Sequence, residues 1–270
     1  MTQTVDSDLT EPINELRRTI ETEILPRLML VHSDRQISHQ DKYYEDDRIE
    51  RDIVDRFVNV MIDRSATSGR EIIDQFVRTG TKLENIYLNL LAPAAQKMGE
   101  LWEDDVRSFT DVTIGLCRLH EVIRHNSLTP NQTYTLPAPD TPSALLSTVC
   151  DDQHVFGIIM VAEFFRQAGW QINCEPAANT VELSRIAALQ NYDVIGLSIA
   201  RNYDATEISE VIQHLRESSL NPDVKVILGG ALIARDPTFA GKVGADAAMT
   251  DAQRAPEAAT RLLAHSRVGC

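Results

Sequence analysis

The chain has 270 residues, 43% apolar and 24% charged, which is ordinary for a globular protein and long enough for two domains that each bury a core. Its 40 acidic against 26 basic residues leave a net charge of -14, which argues against direct strong DNA binding, because neutralising phosphates needs a basic surface. The longest apolar stretches, such as Gly157 to Ala162, fall far short of the roughly 20 residues of a membrane span, and the acidic, polar start MTQTVDSDLTEPINEL has no signal-peptide pattern, so a cytoplasmic location is expected.

The first half reads as helical. Three-to-four-residue apolar spacing runs through Asp8 to Val31, Glu45 to Asp63, Arg70 to Thr79, Lys82 to Trp102 and Phe109 to Asn126. The mixed charges from Tyr43 to Arg51 suit a solvated helix start. Pro93 should kink or break the fourth helix. Ser108, with Asp111 three residues on, resembles a capping box opening the fifth. On that helix Phe109, Val112, Thr113, Leu116, His120 and Ile123 share an apolar face; His120 is expected to be a satisfied core histidine and His125 a solvated one. The polar turn Glu103 to Arg107 makes the last two helices an antiparallel pair, with Trp102 and Phe109 flanking it.

Ser127 to Pro142 holds four prolines and no periodicity, and is expected to be a linker. Beyond it, strand-like runs at Ala144 to Val149, Trp170 to Cys174, Val194 to Ile199, Val224 to Leu228 and Ala247 to Met249 alternate with helix-like runs at Gly157 to Ala168, Thr180 to Gln190, Ala205 to Glu217 and Ala252 to His265. The fold class expected is therefore α + α/β. A helical cap domain (1–127) and a linker (128–142) precede a doubly wound, Rossmann-like parallel sheet (143–270). The four cysteines, Cys117, Cys150, Cys174 and Cys270, form no CxxC pair and read as idle or buried thiols.

In such a sheet, ligands bind beyond the carboxyl ends of the strands. After the first strand lies Asp152-Gln153-His154-Val155-Phe156-Gly157, a DxHxxG pattern. In that spacing the imidazole can face a metal while the carboxylate holds its other nitrogen, fixing the tautomer and raising basicity. One such pair cannot hold a bare ion, so the metal would arrive inside a cofactor. Ser198 follows the third strand, and Gly229-Gly230, after the fourth, let a bulky group approach the backbone.

DxHxxG, the serine of GLSIA and the glycines of VILGG resemble the cobalamin-binding domain shared by methionine synthase and corrinoid proteins. The resemblance implies that His154 is the lower cobalt ligand and that the cofactor's displaced nucleotide tail enters a slot beside Ser198, Gly229 and Gly230, with Gly157 leaving it room. It also implies a helical cap over the upper corrin face with Trp102 as its hallmark. The stretches LAPAAQKMGELWEDDVRSFTDVTIGLCRL and DQHVFGIIMVAEFFRQAGW are more specific. They resemble the AerR/PpaA-type antirepressors of photosynthesis genes in purple bacteria, over most of the chain from about Ile24. That family implies a non-enzymatic, light- and redox-responsive tetrapyrrole sensor with a transcriptional repressor partner of the CrtJ/PpsR type.

Light-sensing repressors of the CarH type carry a histidine just after the cap tryptophan and a Glu-His pair ten residues beyond it. Here Glu103 and Val112-Thr113 stand in those places, so the upper face should suit the aquo or hydroxo form of cobalamin better than a caged adenosyl group. The expected cofactor-binding set is Asp152, His154, Val155, Phe156, Gly157, Ser198, Gly229 and Gly230 from the α/β half, with Trp102, Phe109, Val112 and Thr113 from the cap. Asp152 could instead cap the helix that follows, and Trp102 could be core packing. A haem-binding redox sensor, with His154 on iron, and a corrinoid methyl-transfer shuttle are the alternatives.

Overall fold

The computed structural model describes residues 49–127, 141–149, 152 and 154–268. The helix expected from Asp8 to Val31, the start of the one expected from Glu45, and residues 128–140 of the linker lie outside them.

The helical half comprises α1 (Arg51–Asp63), α2 (Ala66–Arg78), α3 (Leu83–Ile86), a π-helical turn (Tyr87–Leu91), α4 (Ala92–Glu103) and α5 (Phe109–Ser127). Helix α1 buries Val54, Phe57, Val58, Met61 and Ile62, one stripe at helical spacing. Its terminal carbonyls are met from α5, where Arg118 donates to Met61 O at 2.8 Å and Ile62 O at 2.7 Å. At Pro93 the helical backbone continues from the π-helical turn into α4. The proline has no amide to give and its ring crowds the preceding turn, and the ladder widens just before it, the Ala92 amide donating to Tyr87 O. Before α5 the capping box is complete. The Ser108 amide donates to Asp111 Oδ2 at 3.2 Å and the Asp111 amide donates to Ser108 Oγ at 3.1 Å.

The second half alternates strand and helix, with two short helices before the last strand: β1 (Ser143–Thr148), α6 (Val155–Gln167), β2 (Gln171–Glu175), α7 (Thr180–Ala187), β3 (Val194–Ser198), α8 (Ala205–Ser218), β4 (Lys225–Gly229), α9 (Ala231–Arg235), α10 (Thr238–Lys242), β5 (Ala247–Ala248) and α11 (Ala255–Val268). The sheet is parallel throughout, in the order β2-β1-β3-β4-β5. Strands β1, β3 and β4 are buried almost throughout, as cover on both faces demands, with Ser143, Ser147 and Thr148 of β1 buried among apolar residues. Leu145, Ile195, Leu197, Val226 and Leu228 pack against α7, α8, α9 and α10. Ala144, Leu146, Val194 and Ile227 meet Ile158, Ala162 and Phe165 of α6 and Ala255 and Ala259 of α11. The short helices α9 and α10 have no counterpart among the sequence expectations, because five residues hold barely more than one turn and show no period.

Helix α6 is apolar around its whole circumference rather than amphipathic. Its Met160 and Phe164 belong to the core of the helical half, with Phe156 and Ile159 packed against it. Its opposite side belongs to the sheet core. A helix hydrophobic all round is stable only when covered on all sides. No described helix is long and apolar enough to cross a membrane.

Replacing Ser108 by alanine removes the hydroxyl half of the capping box and should cost about 1 kcal/mol, read as a lower denaturation midpoint at unchanged m-value; an unchanged midpoint would show that the cap contributes nothing.

Candidate cofactor site at the carboxyl edge of the sheet

The strand order places β2 on one side of β1 and β3 on the other, so the chain leaves β1 and β3 in opposite directions and a crevice opens at their carboxyl ends. Asp152 and His154 leave β1 on one wall of it, and Ser198 ends β3 on the other. The walls are stitched by backbone, the Val149 amide donating to Ser198 O at 3.2 Å.

Asp152 is 3% exposed. His154 Nδ1 lies 2.6 Å from its Oδ1, and the His154 amide donates to the same oxygen at 3.0 Å. The Ala200 amide, from the β3 side, also bonds this carboxylate. Burial alone would raise the carboxyl's pKa; the His154 ring and amide, together with Ala200, outweigh it and hold it below the ordinary carboxylate range. An ionised Asp152 accepts only, so Nδ1 donates its proton to it, the orientation in which Nε2 is the ring nitrogen a metal would take. Thr148 fixes the turn, its hydroxyl donating to Asp152 O at 2.9 Å while accepting from the Ala177 amide at 3.0 Å. His154 itself is the N-cap residue of α6, so Asp152 does not cap that helix in the ordinary sense; its oxygens serve His154.

Beside this pair a cavity of about 260 Å³ runs down between the sheet, α6 and α11. Gly157, Gly196, Ser198, Gly229 and Gly230 line it, with Leu146 and Met249 among its apolar walls. The glycines are what keep it open. A Cβ on Gly196 would come within 2.5 Å of the Leu146 side chain. At Gly230, φ is +94° and ψ is -177°, a conformation almost confined to glycine, and a Cβ would sit 2.5 Å from Ile199 O. A Cβ on Gly157 would meet nothing within 4 Å, so there the missing side chain leaves the helix start open to the cavity.

The cap offers a half-exposed stripe on α5. Phe109, Thr113, Leu116 and His120 follow each other at helical spacing. Trp102 packs edge-on to Phe109 with ring centroids 6.1 Å apart, and His120 stacks on Phe156, at the head of α6, at 5.6 Å. The stripe thus leads from the end of α4 to within two residues of His154. Phe109 is 43% exposed. Val112 belongs to the helical core instead, and Val155 is half-buried in the first turn of α6. His120 is not the satisfied core histidine expected, since its buried Nε2 finds no hydrogen-bond partner among the described residues. Burial, and secondarily Arg124, lower its pKa and keep the ring neutral. His125 is exposed, as expected.

Three residues of the site went unnoticed in the sequence. Gly196 had a signal, a glycine inside an otherwise apolar strand, which marks close approach of another group. Arg201 and Tyr203, in the loop after β3, had none. Among the described residues no three His, Cys, Asp or Glu side chains gather as a metal site. A metal on His154 would find no second and third such ligand among the described residues.

Residues 142–260 match the B12 binding domain family. Over 121 residues the chain is 32% identical to dimethylamine corrinoid protein 3 of Methanosarcina mazei, covering 43% of this chain and 70% of that protein. The chain belongs to the B12-binding family. Its match to dimethylamine corrinoid protein 1 of Methanosarcina acetivorans, 33% identical, spans 54% of that protein's length. A longer similarity, 24% over 180 residues, covers 67% of this chain and 93% of an uncharacterized 20.5 kDa protein from the bchF-crtJ intergenic region of Rhodobacter capsulatus. This agrees with the AerR-type resemblance of the helical and α/β halves together. The monomethylamine corrinoid protein of Methanosarcina barkeri shares the fold, with a TM-score of 0.60 at 16% identity over 78% of this chain and 98% of that one.

Gly230→Ala should destabilise the α/β half by at least ~1–3 kcal/mol, because both the backbone conformation and the space refuse a side chain; a variant as stable as the parent in urea would contradict the close approach to Ile199.

Proposed function

We propose that this chain is a non-catalytic cobalamin sensor. His154 is its lower cobalt ligand, and it acts as a light- or redox-responsive antirepressor through a transcriptional repressor of the CrtJ/PpsR type. The observation that carries the cofactor reading is the tautomer-fixed His154 standing beside a glycine-lined slot within a B12-binding domain. The slot, lined by Gly196, Ser198, Gly229 and Gly230 among apolar side chains, is where the nucleotide tail would lie. The cap stripe from Trp102 to His120 supplies a wall for the upper face, where Phe109 and Thr113 stand exposed. Glu103 follows Trp102, so no imidazole adjoins it to compete for the upper position, which favours the aquo or hydroxo form. Bound cobalamin would supply a cobalt centre whose chemistry responds to illumination or oxidation state; the protein's own part would be to hold that centre through His154 and to cover it with the cap stripe.

The regulatory part of the proposal is supported by the similarity to the protein of the bchF-crtJ intergenic region. A net charge of -14 also favours a protein partner over DNA. Haem would use His154 but leave the tail slot without a purpose. A corrinoid methyl-transfer shuttle is the second reading, supported by similarity to the dimethylamine corrinoid proteins.

Purified protein reconstituted with hydroxocobalamin should bind it with a spectrum different from the free cofactor, and His154→Ala should weaken binding more than about 100-fold, since outer-shell partners of a metal ligand alone are worth 10–100-fold. Unchanged affinity and spectrum in the variant would remove His154 as ligand, and a Soret band after haem reconstitution with no cobalamin uptake would replace the cofactor.

A further inference from the structure

The rows of the sheet divide the slot by polarity. Leu146 of β1, Gly196 of β3 and Ile227 of β4 stand in one register row, and Ser198 and Gly229 stand in the row two residues on, at the carboxyl edge. Residues two apart on a strand share a face, so both rows face α6 and α11, against which Leu146 and Ile227 pack. Two of the side chains that line the cavity are polar, Ser198 in the edge row and Thr250 beyond β5. The inner row and the lining residues of α6, Ile158 and Phe165 among them, are apolar.

The backbone does not make up for this. Strands β1, β3 and β4 each pair with a neighbour on both sides, so the amides and carbonyls of the inner row are committed to the ladder. At the edge, Ser198 O accepts from the Val149 amide and Gly229 O from the Ile199 amide. A ring that reaches the inner row thus meets apolar contacts without a donor or acceptor. Outline alone selects little there, because the flexible side chains of Met160 and Met249 belong to the lining and yield to rings of different shape.

The lower bases of corrinoids differ in this respect. The six-membered ring of dimethylbenzimidazole carries carbon and hydrogen only. That of adenine carries ring nitrogens and an amino group, which would leave water for a wall without partners.

We propose that the slot selects the cofactor by its tail, taking corrinoids whose lower base is a benzimidazole and rejecting those that carry a purine, with Leu146, Ile227 and Met249 as specificity-determining side chains. This selectivity rests on the cobalamin reading, which supplies the tail, but the bare bases test it on the apoprotein.

In 15N-labelled apoprotein, dimethylbenzimidazole at millimolar concentration should shift the amide signals of Gly157, Gly196 and Gly230, while adenine leaves them in place. With the aquo forms of the two corrinoids, the benzimidazole form should bind roughly 10- to 100-fold more tightly than the adenine form, the scale of one buried polar group left without a partner. Met249 is half-buried. Met249→Gln keeps its length, adds an amide to the lining and should narrow that ratio about threefold or more; an amide fingerprint like the parent's shows that the variant is folded. Equal shifts with the two bases, no shift with either, equal affinities of the two corrinoids, or a ratio unmoved in folded Met249→Gln would each overturn the selectivity. If the apoprotein separates the two bases yet takes up neither corrinoid, the selectivity of the slot stands and the cofactor reading falls.

Discussion

A carboxylate that is 3% exposed must find donors for its lone pairs or forfeit its charge. Asp152 finds them on both walls of the crevice between β1 and β3. His154 supplies a ring and an amide from the β1 side; Ala200 and Tyr203 answer from the β3 side. The bonds that keep Asp152 ionised thus also fix the imidazole's tautomer and hold the two loops in register. Its stabilising contribution is complete above the ordinary carboxylate value of about 3.9 and is lost as pH falls through its lowered value in the folded chain.

Helix α6 extends that constraint to the whole molecule. It begins at His154 and buries one side against the sheet and the other against the helical half. Burying an apolar side chain such as Phe164 or Phe165 is worth about 1.5–3 kcal/mol, so several of them on each side lock the helix between two layers. The stacked pair of Phe156 and His120 then sets the cap stripe beside the imidazole. The cap stripe and His154 thus rest on one helix.

Much of this was legible from residue patterns, because strand-to-helix alternation has strong periodicity and site residues lie where strands end. The helical first half, the linker's neighbours, the strands and the placement of Asp152, His154, Ser198, Gly229 and Gly230 at one edge all follow from that. What escaped has physical reasons. The cover of helix α6 on two sides has no counterpart among the sequence expectations, although VFGIIMVAEFF carries a single charge, Glu163, itself buried. Pro93 announced a disruption but not its form, since a π turn and a kink satisfy the same missing amide. Val112 shares the spacing of the stripe, yet the rotation of α5 that packs Leu119, Val122 and Ile123 inward takes it along. Arg201 and Tyr203 reach Asp152 through a hydrogen-bond chain in an aperiodic loop, where no period in the sequence shows who touches whom.

The central claim is that this chain, and not the cofactor's own base, supplies the lower nitrogen to cobalt through His154. It is tested most directly by electron paramagnetic resonance of the reduced, Co(II) form of the cobalamin-loaded protein, prepared with natural-abundance and with 15N-labelled histidine. The account predicts a nitrogen superhyperfine pattern that changes from triplet to doublet splitting on histidine labelling. A pattern indifferent to the label would place the cofactor's benzimidazole on cobalt and contradict the account.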